Sequence, residues 1–120
     1  MAQSKYAQAL GLLEFKVRGI EFQLTPKQGD NLEYARIRKS AGKDMDKFIQ
    51  DFIPFCAKLI AREEKFAEGS EEYSELLTFV EFNVNELMEE ILVGFGWATR
   101  EELAEAERKA LEGFQKQLAA

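Results

Sequence analysis

The sequence predicts a mainly α, α+β fold: an N-terminal β-hairpin followed by about four to five helices in one small domain. Apolar and polar residues alternate with period two across residues 13–24, and beyond Pro26 apolar residues recur at three- and four-residue steps. A chain of 120 residues suits one modest core and is short for two. The expected layout is therefore a single domain over 1–120. It has a flexible or short helical N-terminus (1–12), a hairpin (13–24) and a helical remainder (26–118).

The hairpin is the clearest local signal. Leu13, Phe15 and Val17 alternate with Glu14 and Lys16, and Ile20, Phe22 and Leu24 alternate with Glu21 and Gln23. A two-residue turn at Arg18-Gly19 pairs 17 with 20, 15 with 22 and 13 with 24, which puts all the apolar side chains on one face. On the other face Lys16 lies opposite Glu21, a favourable cross-strand pair. Arg-Gly is a weaker turn signal than Asn-Gly, but pattern and register agree. A lone hairpin is marginal in water, so its apolar face must cover helices of its own chain or a second chain.

Thr25-Pro26-Lys27-Gln28 has the spacing of a capping box with proline at the first helical position, which predicts a helix from there to about Lys39. Its apolar face is thin: Leu32 and Ala35, with Tyr34 and Ile37 at the margins, and Gly29 weakening the first turn. Ser40-Ala41-Gly42 breaks the pattern. Asp44 is placed to cap the next helix, whose stripe is Met45, Phe48, Ile49, Phe52, Ile53, Cys56, Leu59 and Ile60. Pro54 does not shift the phase, so a kink is expected, and the helix should run out near Glu68-Gly69. This is the expected central core helix.

Ser70–Leu77 reads as a short acidic turn or helix. Thr78-Phe79-Val80-Glu81 repeats the capping-box spacing and should open a helix with a stripe of Val80, Val84, Leu87, Met88, Ile91, Leu92 and Phe95. Gly94 and Gly96 should end it. Thr99-Arg100-Glu101-Glu102 is a third capping box, and the last helix carries Leu103, Ala106, Ala110, Leu111, Phe114 and Leu118 on a narrow, Ala-rich face.

Composition excludes several chemistries. There is no histidine, hence no His general base, triad or metal ligand, and the single Cys56 cannot build a thiolate zinc site or an intramolecular disulfide. Cys56 lies in an apolar helical run and reads as a core residue. Gly94-Phe95-Gly96 lacks the third glycine and preceding strand of a nucleotide fingerprint. The doublets Glu63-Glu64, Glu71-Glu72, Glu89-Glu90 and Glu101-Glu102 point about 100° apart on a helix, so they read as solvated surface and not as acid/base or metal sites. No catalytic residue, cofactor site or metal site is expected, and the chain is not expected to be an enzyme.

The formal charge of −6 is uneven: residues 1–60 carry 10 Lys/Arg and 7 Asp/Glu, whereas residues 61–120 carry 6 and 15. An acidic chain with no dense basic run is a poor nucleic-acid binder. Its asymmetry is compatible with solvated helix faces or with head-to-tail self-association, so a homo-oligomer is one possibility. No segment approaches the roughly 18 apolar residues of a membrane span. The N-terminus lacks a signal-peptide pattern, and the expected location is cytoplasmic. Phenylalanine dominates the aromatics, with 10 Phe against 3 Tyr and 1 Trp. Phe79, Phe82, Phe95 and Trp97 exceed what one narrow stripe needs. They belong either to the core or, with the hairpin residues Phe15, Val17, Ile20 and Phe22, to a protein-partner surface.

The segment Leu13-Glu-Phe-Lys-Val-Arg-Gly-Ile-Glu-Phe-Gln-Leu24, then Thr25-Pro26, precedes helices with an acidic middle and a Thr78-Phe79-Val80-Glu81…Ile91-Leu92 helix. This order of elements, over about residues 13–112, resembles the tail assembly chaperones of long-tailed (siphovirus-type) bacteriophages or prophages. The resemblance implies a non-enzymatic protein that binds the tape measure protein, keeps it soluble and helps recruit tail tube protein in the bacterial host cytoplasm. It also implies that a longer form can arise by frameshifting near the C-terminus. The family has no invariant catalytic or ligand motif, so no functional residue is carried over. The alternative reading is a small acidic phage or bacterial adaptor or inhibitor domain that binds a host protein. Few exposed phenylalanines would suit that alternative better.

Overall fold

The alternation over residues 13–24 folds in the expected register. The computed structural model describes Lys5, the backbone of residues 11–119 and the side chains of residues 5, 11–109, 111 and 112. The expected N-terminal element over 1–12 therefore lies mostly outside the described residues. Strand β1 (Leu13–Val17) pairs antiparallel with β2 (Ile20–Leu24), joining Val17 to Ile20, Phe15 to Phe22, Leu13 to Leu24 and Lys16 to Glu21. Both turn residues are left-handed, Arg18 at φ 52 and Gly19 at φ 81, as a two-residue turn with the strands' own twist requires. For Arg18 that backbone costs about 1 kcal/mol. The side chain is held in return, because its Nε donates to Asn83 Oδ1 at 2.6 Å.

Five helices follow among the described residues: α1 (Asp30–Ala41), α2 (Met45–Glu64), α3 (Glu71–Phe82), α4 (Val84–Gly94) and α5 (Arg100–Ala119). The backbone divides into two compact units, Met1–Met88 and Glu89–Ala120. Among the described residues no helix is long and apolar enough to cross a membrane.

Helix α1 starts later and faces differently than expected. Thr25 does not cap it. The Thr25 amide donates to Glu63 Oε1 at 3.0 Å and its carbonyl accepts from Arg62 Nη2 at 3.0 Å, so the residue is tied to α2. Gly29 is the N-cap at φ 94, a backbone that glycine adopts without steric cost. The buried face is Asp30, Tyr34, Ile37 and Ala41, whereas Leu32 is 73% exposed. A carboxylate on the inner face is what apolar patterning passes over. Asp30 is buried because Arg62 Nη1 and Nη2 donate to its Oδ1 and Oδ2 at 3.0 and 3.1 Å, and the Lys27 amide donates to Oδ2 at 2.8 Å.

Helix α2 is the centre of the first unit and contacts α1, α3 and β2. Asp44 caps it as expected, accepting from the Lys47 amide at 3.2 Å, and the helix is continuous through Pro54. Phe52, Cys56, Leu59 and Ile60 are buried, joined by Phe55, Ala57 and Ala61, while Met45 at the first turn is 52% exposed. An aromatic series runs along its N-terminal half: Tyr34 of α1 meets Phe48 edge-on at 6.1 Å, Phe48 stacks on Phe52 at 5.9 Å, and Phe52 meets Phe55 at 5.9 Å. The helix ends at Glu64, earlier than expected, because Lys65 turns left-handed at φ 62. The Phe66 amide then closes on the Ala61 carbonyl at 3.0 Å.

The second helical boundary also moves. Ser70 caps α3, its Oγ accepting from the Tyr73 amide at 3.2 Å, and α3 runs through Thr78. Thr78 Oγ1 instead donates to the Ser74 carbonyl at 3.1 Å, so the box at 78–81 opens nothing. The break comes at Asn83, which is buried and donates from Nδ2 to the Phe79 carbonyl at 2.9 Å. Leu76, Val80 and Leu87 are buried along this stretch.

In the second unit Ile91 and Leu92 are buried, and the amides of Trp97 and Ala98 donate to the Leu92 carbonyl at 2.8 and 3.1 Å. Gly96 at φ 78 permits this turn after α4. Thr99 caps α5, its Oγ1 accepting from the Glu102 amide at 3.0 Å. Arg100 Nη1 donates to Glu89 Oε1 at 2.7 Å. On α5, Leu111 is 56% exposed, while the side chains at 110, 114 and 118 lie outside the described residues.

Burial pushes the Asp30 carboxyl up, but the Arg62 hydrogen bonds, the Lys27 amide and both cations outweigh it and hold it below the ordinary 3.8. The stability it contributes is therefore complete above about pH 4–5 and is lost as pH falls through 3.8 and then the lower folded value. Asp30→Asn should cost about 3 kcal/mol at neutral pH, by leaving Arg62 uncompensated, and the gap to the parent protein should narrow in acid. Urea unfolding at pH 7 and pH 3 measures both. Cys56 is fully buried and its thiol is pushed up to about 12 by that burial. It should resist a thiol-reactive disulfide reagent in the native protein and react rapidly once the chain is unfolded in urea.

Candidate docking groove

The hairpin and the α2–α3 pair leave one open groove of about 360 Å³ between them. From the hairpin come Ile20 and Phe22; from α2, Ile60 and Glu64; from the connection, Phe66. Helix α3 supplies Glu72, Glu75, Leu76 and Phe79. Each is placed by a feature already described. The period-two alternation turns Ile20 and Phe22 inward, the Lys65 turn delivers Phe66, and the Ser70 cap sets the phase that puts 72, 75, 76 and 79 on one face of α3.

Phe22 is the hinge of this surface. It stacks on Phe15 at 5.3 Å and meets Phe79 at 5.9 Å, so it joins sheet to helix while forming part of the groove floor. Ile20 remains 48% exposed at the lip. The groove is lined by carboxylates as well as apolar side chains. Helices α2 and α3, joined by the short connection 65–70, run back on one another, which brings the last turn of α2 beside the first turns of α3. Glu64 at the end of α2 and Glu72 and Glu75 in the first turns of α3 thus line the groove together with apolar side chains of the hairpin and both helices.

The expected partner residues separate into distinct environments. Val17 and Phe22 are buried, at 2% and 5% exposure, and Phe15 is half-buried against Phe22. Ile20, Phe22 and Phe79 come together in the groove. Phe82 is on the same helix as Phe79 but is not among the lining residues and stands 79% exposed. Phe95 and Trp97 belong to the second unit, where their rings meet edge-on at 4.8 Å. Ile60, Phe66, Leu76 and the three carboxylates were not anticipated. The sequence does carry a signal for two of these carboxylates, since the Glu63-Glu64 and Glu71-Glu72 doublets flank the turn between two helices.

Among the described residues no group of His, Cys, Asp and Glu is arranged to hold a metal ion. Hydrophobic floor, partial exposure and charged rim are the ingredients of a protein-docking surface. The chain matches no family model, no curated protein and no solved structure.

The contrast between Phe22 and Phe82 yields a direct check on which aromatics hold the fold. Phe22→Ala should destabilise the protein by about 3–5 kcal/mol, whereas Phe82→Ser should leave its stability within about 0.5 kcal/mol of the parent. Thermal and urea unfolding of the two variants measure the difference.

Proposed function

We propose that this chain is a non-enzymatic assembly chaperone of the long-tailed phage type, binding the tape measure protein, keeping it soluble and helping to recruit tail tube protein in the bacterial host cytoplasm. The observation that carries this reading is the open apolar groove built on the hairpin. A chaperone must offer apolar surface to an insoluble client while its own surface stays charged, and this chain combines such a groove with a net charge of −6. The hairpin that forms one wall is also the segment on which the resemblance to these chaperones rests. The 79% exposure of Phe82 fits a client-binding protein better than an acidic adaptor that works through carboxylates alone.

Co-expression with a tape measure protein of the long-tailed phage type should move that protein from the insoluble to the soluble fraction. A tape measure protein that stays insoluble overturns the proposal. Recovery of a host nuclease or polymerase from lysate, in place of tail proteins, would favour the acidic adaptor instead.

A further inference from the structure

The carboxylates that line the groove have a feature that helix stability does not account for. Glu72 lies in the first turn of α3, where the helix dipole favours a carboxylate, but Glu64 lies in the last turn of α2, where the dipole disfavours one. Its neighbour Glu63 is in the same unfavourable turn and is held there by the Thr25 amide. Glu64 has no such bond. Neither Glu64, Glu72 nor Glu75 has an ion-pair or hydrogen-bond partner among the described residues, and no cation lines the groove. Three exposed carboxylates thus line one apolar groove that has no cation among its lining residues.

We infer that the groove is the docking site for a short, basic amphipathic segment of a partner protein: one or two large apolar side chains pack against Ile20, Phe22 and Phe79, and a Lys or Arg of the same segment meets the carboxylates that line the groove, Glu64, Glu72 and Glu75. Charge complementarity selects this occupant. An acidic segment would meet like charge, and a purely apolar one would leave the carboxylates partly desolvated and unpaired. A volume of about 360 Å³ is at the small end of binding clefts, enough for an anchor of a few side chains rather than the length of a helix. The inference rests on the reading of this chain as a client-binding protein and specifies the chemistry of the client segment.

Fluorescence anisotropy with a labelled amphipathic peptide, carrying Leu and Phe on one face and Lys beside them, tests it against the same peptide with Glu in place of Lys. The full-length protein should bind the Lys peptide, more weakly as salt is raised, and should bind the Glu peptide at least about tenfold more weakly. Glu72→Lys/Glu75→Lys, both at exposed positions, should weaken binding of the Lys peptide about tenfold with circular dichroism and unfolding midpoint retained. Equal binding of the two peptides, or binding unchanged by the double substitution, overturns the inference. So does light scattering that shows the groove filled by a second copy, with the parent self-associated and the double variant monomeric. If the double variant solubilises the tape measure protein as well as the parent does, the chaperone reading stands and the groove assignment falls. If the Lys peptide binds as expected but the tape measure protein stays insoluble, the groove stands and the chaperone reading falls.

Discussion

Asp30 and Arg62 meet through two hydrogen bonds at 3.0 and 3.1 Å, and three separate segments converge on that contact. Arg62 Nη2 also holds the Thr25 carbonyl, the Lys27 amide closes on Asp30 Oδ2, and Glu63 takes the Thr25 amide. The exit of β2, the first turn of α1 and the last turn of α2 are thereby locked together. A two-stranded hairpin has no independent stability, and its angle to the helices must be set by something outside it. Side-chain packing against α2 supplies attraction but little direction. Charged hydrogen bonds with defined geometry supply the direction.

Such a pair is not a large net source of stability. Removing two ions from water costs several kcal/mol each, and the attraction recovers that only where the remaining hydrogen-bonding capacity is met. Asp30 meets it well. Arg62 meets it incompletely, since its Nε is buried without a partner. The same hydrophobic contacts would form with a range of hairpin orientations, but only one orientation satisfies Thr25, Lys27 and Asp30 together. The pair therefore acts mainly on specificity, and Asn83 repeats the pattern at the other end of the hairpin by joining Arg18 to the α3–α4 break.

These polar anchors also explain which parts of the fold were legible in the sequence. Strand register followed from alternation alone, since a slip of one residue would have turned Phe22 and Leu24 to solvent. The caps at Asp44 and Thr99 were legible because each precedes a periodic stripe with no competing cap nearby. The box at Thr78 had the same spacing but lay inside a helix already started by Ser70, so its hydroxyl turned to a carbonyl of the preceding turn. The start and inner face of α1 were illegible for a different reason. Asp30 is an inner-face residue only because Arg62, distant in sequence, is there to receive it. The groove had the same split legibility: Ile20, Phe22 and Phe79 were visible as surplus apolar residues, while Glu64, Glu72 and Glu75 become a group only when two helices fold back on each other.

That fold-back also bears on how an apolar groove can persist in a free protein. A short hairpin presents more apolar face than α2 alone can cover; Leu24 and Val17 are buried completely, Phe22 leans on Phe79, and Ile20 is left at the lip. An uncovered apolar surface beside the free edge of a small sheet invites pairing with another copy. Carboxylates lining the groove work against that outcome, because a second copy seated there would bring like charges together. In the proposed docking, the field that would repel a second copy of the chain is the same field that would attract a cationic segment. On that proposal the three glutamates set the selectivity of docking, which gives a reason for a carboxylate at position 64, against the dipole of its own helix.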